Sequence, residues 1–404
     1  MRILVVTPAL PFPFDKDGFM LALGTLVNEW VSKSYEVHIS CFGRIDPKAY
    51  EFFTEAGVVV YCNDITSSFP GVVHFSKFGT FIRPRNSFGY DFGKYNLVTG
   101  DCFDFVVLSR FESVFLLDKI KKSIDVKTTV FFEIDALSLL YERMSKNSTS
   151  LIERYYNLIQ SKLINRVEKK YYSEFDKTAF VSSSDKRYVL EKHPQLDSSK
   201  IFNIRNGVSI SEKVNRREAL SDVIKLGFSG DFSYKPNQLA ALFIINKIIP
   251  CLLTSKTSFE VKLIGRNPTP EMISASNRYS SILTVTGQVE NVTSELSYLD
   301  IYICPLFVGT GIKNKILNVM GIGLPFIASS VAVEGIDELE GGDYFKSVDS
   351  MDGDVWLEHI HSILECYDEF KQQSDRYQQI ISDNYRWANI AEEFIVKSIS
   401  KEVV

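Results

Sequence analysis

Two α/β domains in succession, each a parallel Rossmann-like sheet flanked by helices, are predicted from three observations. Short continuous apolar runs, the pattern of strands buried on both faces, alternate with helical stretches along the chain. That alternation breaks once, at a polar and charged stretch over 209–222, and then starts again. At 404 residues the chain also exceeds the ~250–300 residues over which a single core usually grows.

The first series opens with a strand, Arg2–Thr7, and a loop that Pro8, Pro11 and Pro13 keep irregular. Asp17-Gly18 leads into a helix over 19–33, and Glu36–Cys41 is the next strand. Val58–Tyr61, Phe105–Leu108 and Thr128–Phe132 continue the strands with helices between, and Asp135 to Phe175 reads as a long, broken helical region. Ala179–Ser182 and Ile201–Ile204 follow as strands, and Asn206-Gly207 makes a tight turn. The second series runs through Ile224–Phe228, a helix over 237–249, and strands at Phe259–Ile264, Ile282–Val285, Ile301–Cys304 and Phe326–Ala328. Residues 351–402 are helical, with Trp387, Ile390, Phe394, Ile395 and Ile399 as a packing stripe. The expected domains are 1–207 and 208–384, with a C-terminal helix over 385–404 that is free to cross back to the first domain, and a cleft between the two.

Bulk properties narrow the function. A formal charge of −5 argues against a general nucleic-acid footprint but permits a local basic pocket. Six scattered cysteines without a C-x-x-C pair read as reduced core residues. The first strand is too short for a signal peptide, and no run approaches the ~20 apolar residues of a membrane span, so a cytoplasmic location is expected. His359 and His361 stand two apart in a helix and diverge, so no metal site is expected.

The most informative stretch is Gly309 to Ser329: a glycine loop, a short helix, a Gly-Leu-Pro turn and a buried strand. The loop follows the strand Ile301–Cys304 at its C-terminal end, where open α/β sheets bind ligands. Gly309 and Gly311 allow close backbone approach, and the amides of the following helix favour an anion. Lys313 and Lys315 add positive charge, so the pattern suggests a nucleotide-diphosphate site.

These pieces, in this order, resemble the retaining nucleotide-sugar-dependent glycosyltransferases with the two-Rossmann GT-B fold, the group 1 family that builds bacterial polysaccharides. The resemblance covers nearly the whole chain. Thr7-Pro8 through Gly18 is similar to the family's proline-rich loop, Asn206-Gly207-Val208 to its inter-domain turn, and Phe228–Asn237 to its first phosphate-side loop. Thr286-Gly287-Gln288-Val289 resembles the base-holding loop, Gly309–Pro325 the donor segment, and Val333-Glu334-Gly335 the short motif beyond it. Donor contacts implied by the resemblance fall on Gly18, Gly230, Asp231, Gln288, Val289, Gly309, Thr310, Gly311, Ile312, Lys313, Asn318 and Glu334. Many members carry glutamates where this chain has Thr310 and Asn318, and an arginine where it has Asp231. Asn318 can still hydrogen-bond a ribose hydroxyl, though without the added strength of a charge.

Three residues are catalytic candidates. Lys315 would stabilise the charge that builds on the leaving diphosphate, the bland alternative being a solvated lysine. Lys235 would reach the diphosphate in place of the missing arginine, or simply be exposed. Asp135, at the end of the strand Thr128–Phe132, would orient or deprotonate the attacking hydroxyl, or else cap the following helix. Glu133 and Arg110 complete the acceptor-side set. The stretch Ser161–Tyr172 interleaves Lys162, Arg166, Lys169 and Lys170 with apolar residues, which suits either an anionic membrane surface or an ordinary packed helix.

The function expected is transfer of a sugar from a nucleotide-diphosphate donor such as a UDP-sugar to a hydroxyl of a glycan or lipid-linked glycan, with retention. The nucleotide sugar is a co-substrate and no separate cofactor is expected. A location at the inner face of the membrane would suit a lipid-linked acceptor. The rival from another class is an inactive subunit of the same fold that binds a nucleotide sugar or glycan; Thr310, Asn318 and Asp231 motivate it. A nicotinamide-dependent oxidoreductase fits poorly, because the first strand–helix loop lacks G-x-G-x-x-G, and an epimerase of similar fold matches the motifs less well.

Overall fold

The computed structural model describes residues 1–14, 17–66, 90–97, 100–148, 150–208, 220–309, 311–339 and 345–399. The chain divides into two compact units, one of residues 1–207 with 387–404, the other of residues 208–386. The expected polar linker over 209–222 lies mostly outside the described residues.

The first unit holds a seven-stranded sheet of order β3-β2-β1-β4-β5-β6-β7. Its strands are β1 (Arg2–Thr7), β2 (Glu36–Cys41), β3 (Val59–Cys62), β4 (Cys102–Ser109), β5 (Asp125–Glu133), β6 (Lys177–Phe180) and β7 (Ile201–Asn203). Every pairing is parallel. The order reverses between β1 and β4, as in doubly wound sheets, so the loops at that end form the natural ligand crevice of the unit. The strand expected at 179–182 sits two residues earlier. Ser182 leaves the sheet because its hydroxyl accepts from the Asp185 amide and caps the helix Ser183–Lys192. The last helix, Trp387–Ile399, completes this unit's core: Phe394 meets Trp30, Phe132 and Phe202, and Trp30 Nε1 donates to Ala391 O at 3.3 Å. Gly207 lies flat against Trp387, where a Cβ would fall 2.5 Å from the indole.

The second unit holds a six-stranded parallel sheet of order β10-β9-β8-β11-β12-β13. Its strands are β8 (Val223–Ser229), β9 (Ser258–Ile264), β10 (Leu283–Val285), β11 (Ile301–Cys304), β12 (Phe326–Ala328) and β13 (Lys346–Ser347). The sequence analysis did not anticipate β13, whose two residues are too few to carry a pattern. The helical region expected over 351–402 consists of the helices Gly353–Glu365, Tyr367–Asn384 and Trp387–Ile399, parted at Cys366 and at Tyr385-Arg386.

The helical stretch Lys235–Thr254 is long and apolar enough to cross a membrane, although no such run was expected. Ala240, Ala241, Ile244, Ile245, Ile248 and Ile249 lie in the core of the second unit, so it serves as a core helix. It carries a π-turn at Ile244–Ile248, immediately before Pro250. Proline has no amide to give to the preceding turn, and the wider turn absorbs the missing bond.

Candidate active site

In the second unit, the ends of β8, β9 and β11 bring together segments far apart in sequence. Gly230 follows β8, and its amide donates to Ile264 O at 2.9 Å. Gly265 follows β9 with φ +144°, and a Cβ there would fall 1.9 Å from Gly230 O. The two loops therefore touch backbone to backbone. Arg266 comes from the second loop, and its Nε meets Asp231 Oδ2 of the first at 2.9 Å. Burial alone would raise the Asp231 pKa, but bonds from Asn267, from Ser233 and from Arg266 hold its carboxyl well below the usual carboxylate range. This carboxylate is thus occupied in tying two loops together.

Lys315 lies in the first turn of the helix Asn314–Gly321 and reaches across to the end of β8. Its Nζ donates to Ser229 O at 2.8 Å and to Asn237 Oδ1 at 2.6 Å, and stands 4.3 Å from the centre of the Phe228 ring. Ser229 is itself anchored, since its amide donates to the Tyr302 hydroxyl at 3.1 Å. Although Lys315 as a residue is half-buried, its ammonium is enclosed, and burial lowers its pKa to about 8. Among the described residues no carboxylate pairs with it.

The glycine loop closes the same corner. Gly309 and Gly311 both have positive φ, +155° and +66°, the region where a side chain is strained. Lys313 Nζ folds back onto Gly311 O at 2.5 Å. Lys313 is also the N-cap of the helix Asn314–Gly321 and makes no side-chain cap bond, and the first turn has no acidic residue. The cap side chain is thus turned to Gly311 O and away from the helix amides. Ile312 is buried, and Thr310 lies outside the described residues.

The remaining predicted donor residues are spread around this corner. Asn318 is exposed on the same helix. Gln288 is exposed and Val289 packs against the core, in the loop after β10 where Gly287 has φ +70°. Glu334 is half-buried and ends the short helix Ser330–Val333. Lys235 is exposed, and its ammonium donates to Gln238 Oε1 at 3.2 Å, one turn along its own helix. The residue that reaches Lys315 from that helix is Asn237, which the sequence reading passed over. The Lys-Pro-Asn run opening a helix was its only trace. Arg266 was missed for the same reason: nothing local marks a residue that acts 35 positions away. A separate surface groove, lined by Lys225, Glu260, Lys262, Glu295 and Tyr298, flanks the N-terminal halves of β8 and β9, away from this corner.

In the first unit, Gly18 is the first residue of the helix Gly18–Ser32, behind the cap Asp17, whose carboxylate accepts from the Met20 amide at 2.8 Å. Arg110 follows β4 with φ +70° and ψ 149°, a conformation that costs a non-glycine residue of order 1–3 kcal/mol. Its guanidinium lies 5.2 Å from the Phe19 ring centre and 3.5 Å from Glu112 Oε1. Asp135 is half-buried; the cap of the helix Leu137–Asn147 is Ala136, so Asp135 does not serve as that cap. Glu133 ends β5 and is only 3% exposed. Burial, then the carboxylates of Glu168, Asp185 and Asp135, push its pKa well above the usual range. Glu168 takes the amide and hydroxyl of Ser138 at 3.1 and 2.7 Å, and Asp185 takes the Ala136 amide at 2.9 Å. These two acids pin the segment after β5, while neither oxygen of Glu133 has a hydrogen-bond partner.

Two parallel sheets with helices on their faces, one in each unit, make the two-Rossmann GT-B fold. Solved structures agree on the fold. The chain superposes on Anabaena Alr3699/HepE in complex with UDP with a TM-score of 0.66 at 12% identity, covering 98% of this chain and 99% of that one. Sucrose-phosphate synthase from Thermosynechococcus elongatus gives a TM-score of 0.67 at 12% identity, covering 98% of each chain. The lipopolysaccharide outer core galactosyltransferase WaaB gives 0.56 at 13% identity, covering 99% of this chain and 100% of that one. By sequence alone, no curated protein matches. Residues 224–365 match the profile of the family described as Glycosyl transferases group 1. That match spans 142 of the 404 residues, all of them in the second unit.

Proposed function

We propose that the second unit binds a nucleotide-diphosphate sugar, with UDP-sugars the first class to try, and that the sugar passes to a hydroxyl of a glycan or lipid-linked glycan held by the first unit. The observation that carries this reading is Lys315: an enclosed ammonium given only neutral acceptors, beside a glycine loop at the start of a helix. A diphosphate supplies the missing negative charge. In the transfer, the acceptor oxygen bonds to the anomeric carbon and the bond from that carbon to the β-phosphate oxygen breaks. Its electron pair stays on the phosphate, where Lys315 and the loop amides stabilise it. The hydroxyl proton leaves with the departing phosphate, and retention of configuration is part of the proposal on the strength of the family resemblance. Asp135 is the acceptor-side group proposed to orient the hydroxyl, with Arg110, after the neighbouring strand β4, to engage an anionic acceptor group.

The UDP and UDP-glucose complexes of the HepE neighbour support UDP-sugars as the first donors to test. Thermal-shift measurements across UDP-, GDP- and ADP-sugars would show the donor as the ligand that raises the melting temperature. Turnover of that donor with glycan acceptors then separates a transferase from a binding subunit. No stabilisation by any nucleotide sugar would overturn the donor reading.

Contact with an anionic membrane surface belongs to the same proposal. The apolar residues first read over 161–172 do not serve it, because Ile164 is buried and Val167 and Tyr171 pack on the core. The same helix, Leu151–Tyr171, instead exposes Leu151, Ile152 and Tyr155 at 69, 76 and 65%, with Leu158 and Ile159 beyond them. Arg154, Lys162, Arg166, Lys169 and Lys170 are exposed on it too, in a chain of net charge −5. That pairing of apolar and basic residues suits an acidic bilayer surface. Flotation with phosphatidylglycerol vesicles should carry the protein upward and phosphatidylcholine vesicles should not; equal behaviour with both would remove this part.

A further inference from the structure

We infer that Asn237 is the positioning residue for Lys315: its side-chain amide fixes the ammonium against the end of β8 and keeps it charged there for a phosphoryl oxygen. This rests on the donor reading of the Lys315 corner. Asn237 is 7% exposed and comes from a different element, the helix Lys235–Phe243. Its Nδ2 donates to Asp231 O at 2.9 Å, which settles which way the amide faces: Oδ1 is the atom turned to Lys315, at 2.6 Å. Asp231 is in turn held by Arg266 and Asn267, so the amide hangs from a braced loop. Gly230 leaves room for the pair, because a Cβ there would fall 2.8 Å from Asn237 Nδ2 and 3.0 Å from Lys315 Nζ.

The surroundings of the ammonium explain why an amide serves. From β8 it meets the Phe228 ring and Ser229 O; the Cys304 thiol approaches from β11 and Lys313 from the preceding loop. Burial works against the charged form, and Lys313 adds to that effect. The Asp231 carboxylate is turned to Arg266. Asn237 is thus the side chain that accepts from the ammonium. A carboxylate in its place would hold the lysine more firmly but would cancel the charge an incoming phosphate needs. A neutral acceptor orients one N–H, Ser229 O takes a second, and the third remains for the ligand.

The test compares wild type with Asn237→Leu, Asn237→Asp and Lys315→Ala. The pH midpoint of trace acetylation at the Lys315 amine, read by peptide mass spectrometry, needs no ligand. UDP affinity by calorimetry is measured in parallel, with GDP or ADP where UDP does not bind. The midpoint should fall in Asn237→Leu and rise in Asn237→Asp, each by about one unit or more, and UDP affinity at pH 7 should weaken at least about threefold in both. A midpoint unmoved by either substitution would overturn the inference, whatever happens to the melting temperature, because a purely structural asparagine would change stability alone. Should the leucine variant fail to fold, the near-isosteric aspartate variant carries the test by itself. The two readings separate cleanly: undiminished nucleotide affinity in Lys315→Ala would sink the donor site while leaving the Asn237–Lys315 coupling intact.

Discussion

The two units are built alike but enclose opposite kinds of ionisable group at their strand ends. In the second, Lys315 is enclosed with neutral oxygens and no carboxylate. In the first, Glu133 is enclosed with the carboxylates of Glu168 and Asp185, and its own oxygens are unpartnered. Burial pushes each group toward its neutral form, lowering the Lys315 pKa to about 8 and raising that of Glu133. The same sheet architecture thus encloses an amine with neutral oxygens in one unit and a carboxyl among carboxylates in the other. Fold alone would not separate them; the difference lies in which side chain the loops deliver.

The sharpest way to break this comparison is Lys315→Ala. Donor turnover should fall more than tenfold, over ~1.4 kcal/mol of transition-state stabilisation, while the fold persists by circular dichroism; unchanged turnover would strip the corner of its role. Asp231→Ala comes next. It frees a partly exposed Arg266 and cuts the tie between the loops after β8 and β9, so stability should drop by about 1 kcal/mol, with weaker nucleotide binding seen by calorimetry. A gain in affinity would mean that the carboxylate repels the donor.

The pH responses of the two corners should run in opposite directions. Lys315 has a folded pKa of about 8 against 10.5 unfolded. Between those values the unfolded chain holds the proton and the native protein does not, so stability contributed here rises with pH through that window. Lys315→Met should flatten that rise in urea melts at pH 7.5 and 10. Glu133 has a raised folded pKa, so above the ordinary value of 4.5 the native state holds the extra proton and stability falls as pH climbs. Glu133→Gln mimics the protonated acid; its advantage over wild type should grow between pH 5 and pH 8. A constant difference would show that Glu133 does not titrate in that interval.

Much of this was legible in the primary structure. The apolar runs gave the parallel strands because both sheet faces are covered, and the glycine loop after β11 stood out because Gly309 and Gly311 occupy backbone space that other residues avoid. What escaped was contact between distant segments. Lys315 and Asn237 are 78 positions apart, and Asp231 and Arg266 are 35 apart. No local pattern pairs them. Glu133 was named on the acceptor side, but its burial escaped for a related reason: an acid at a strand end looks solvent-facing until the helices carrying Glu168 and Asp185 close over it.

The helix Trp387–Ile399 has a consequence for how the protein is made. Phe394 and its neighbours fill the interior beside Trp30, Phe132 and Phe202, so the opening half of the polypeptide leaves the ribosome with a hole where those rings belong. Until residues 387–399 are translated, nascent residues 1–207 must wait with apolar surface uncovered, while the stretch emerging behind them, 208–386, can fold first. Translation order and folding order are therefore expected to run in reverse, and a product terminated at 386 should depend on chaperones.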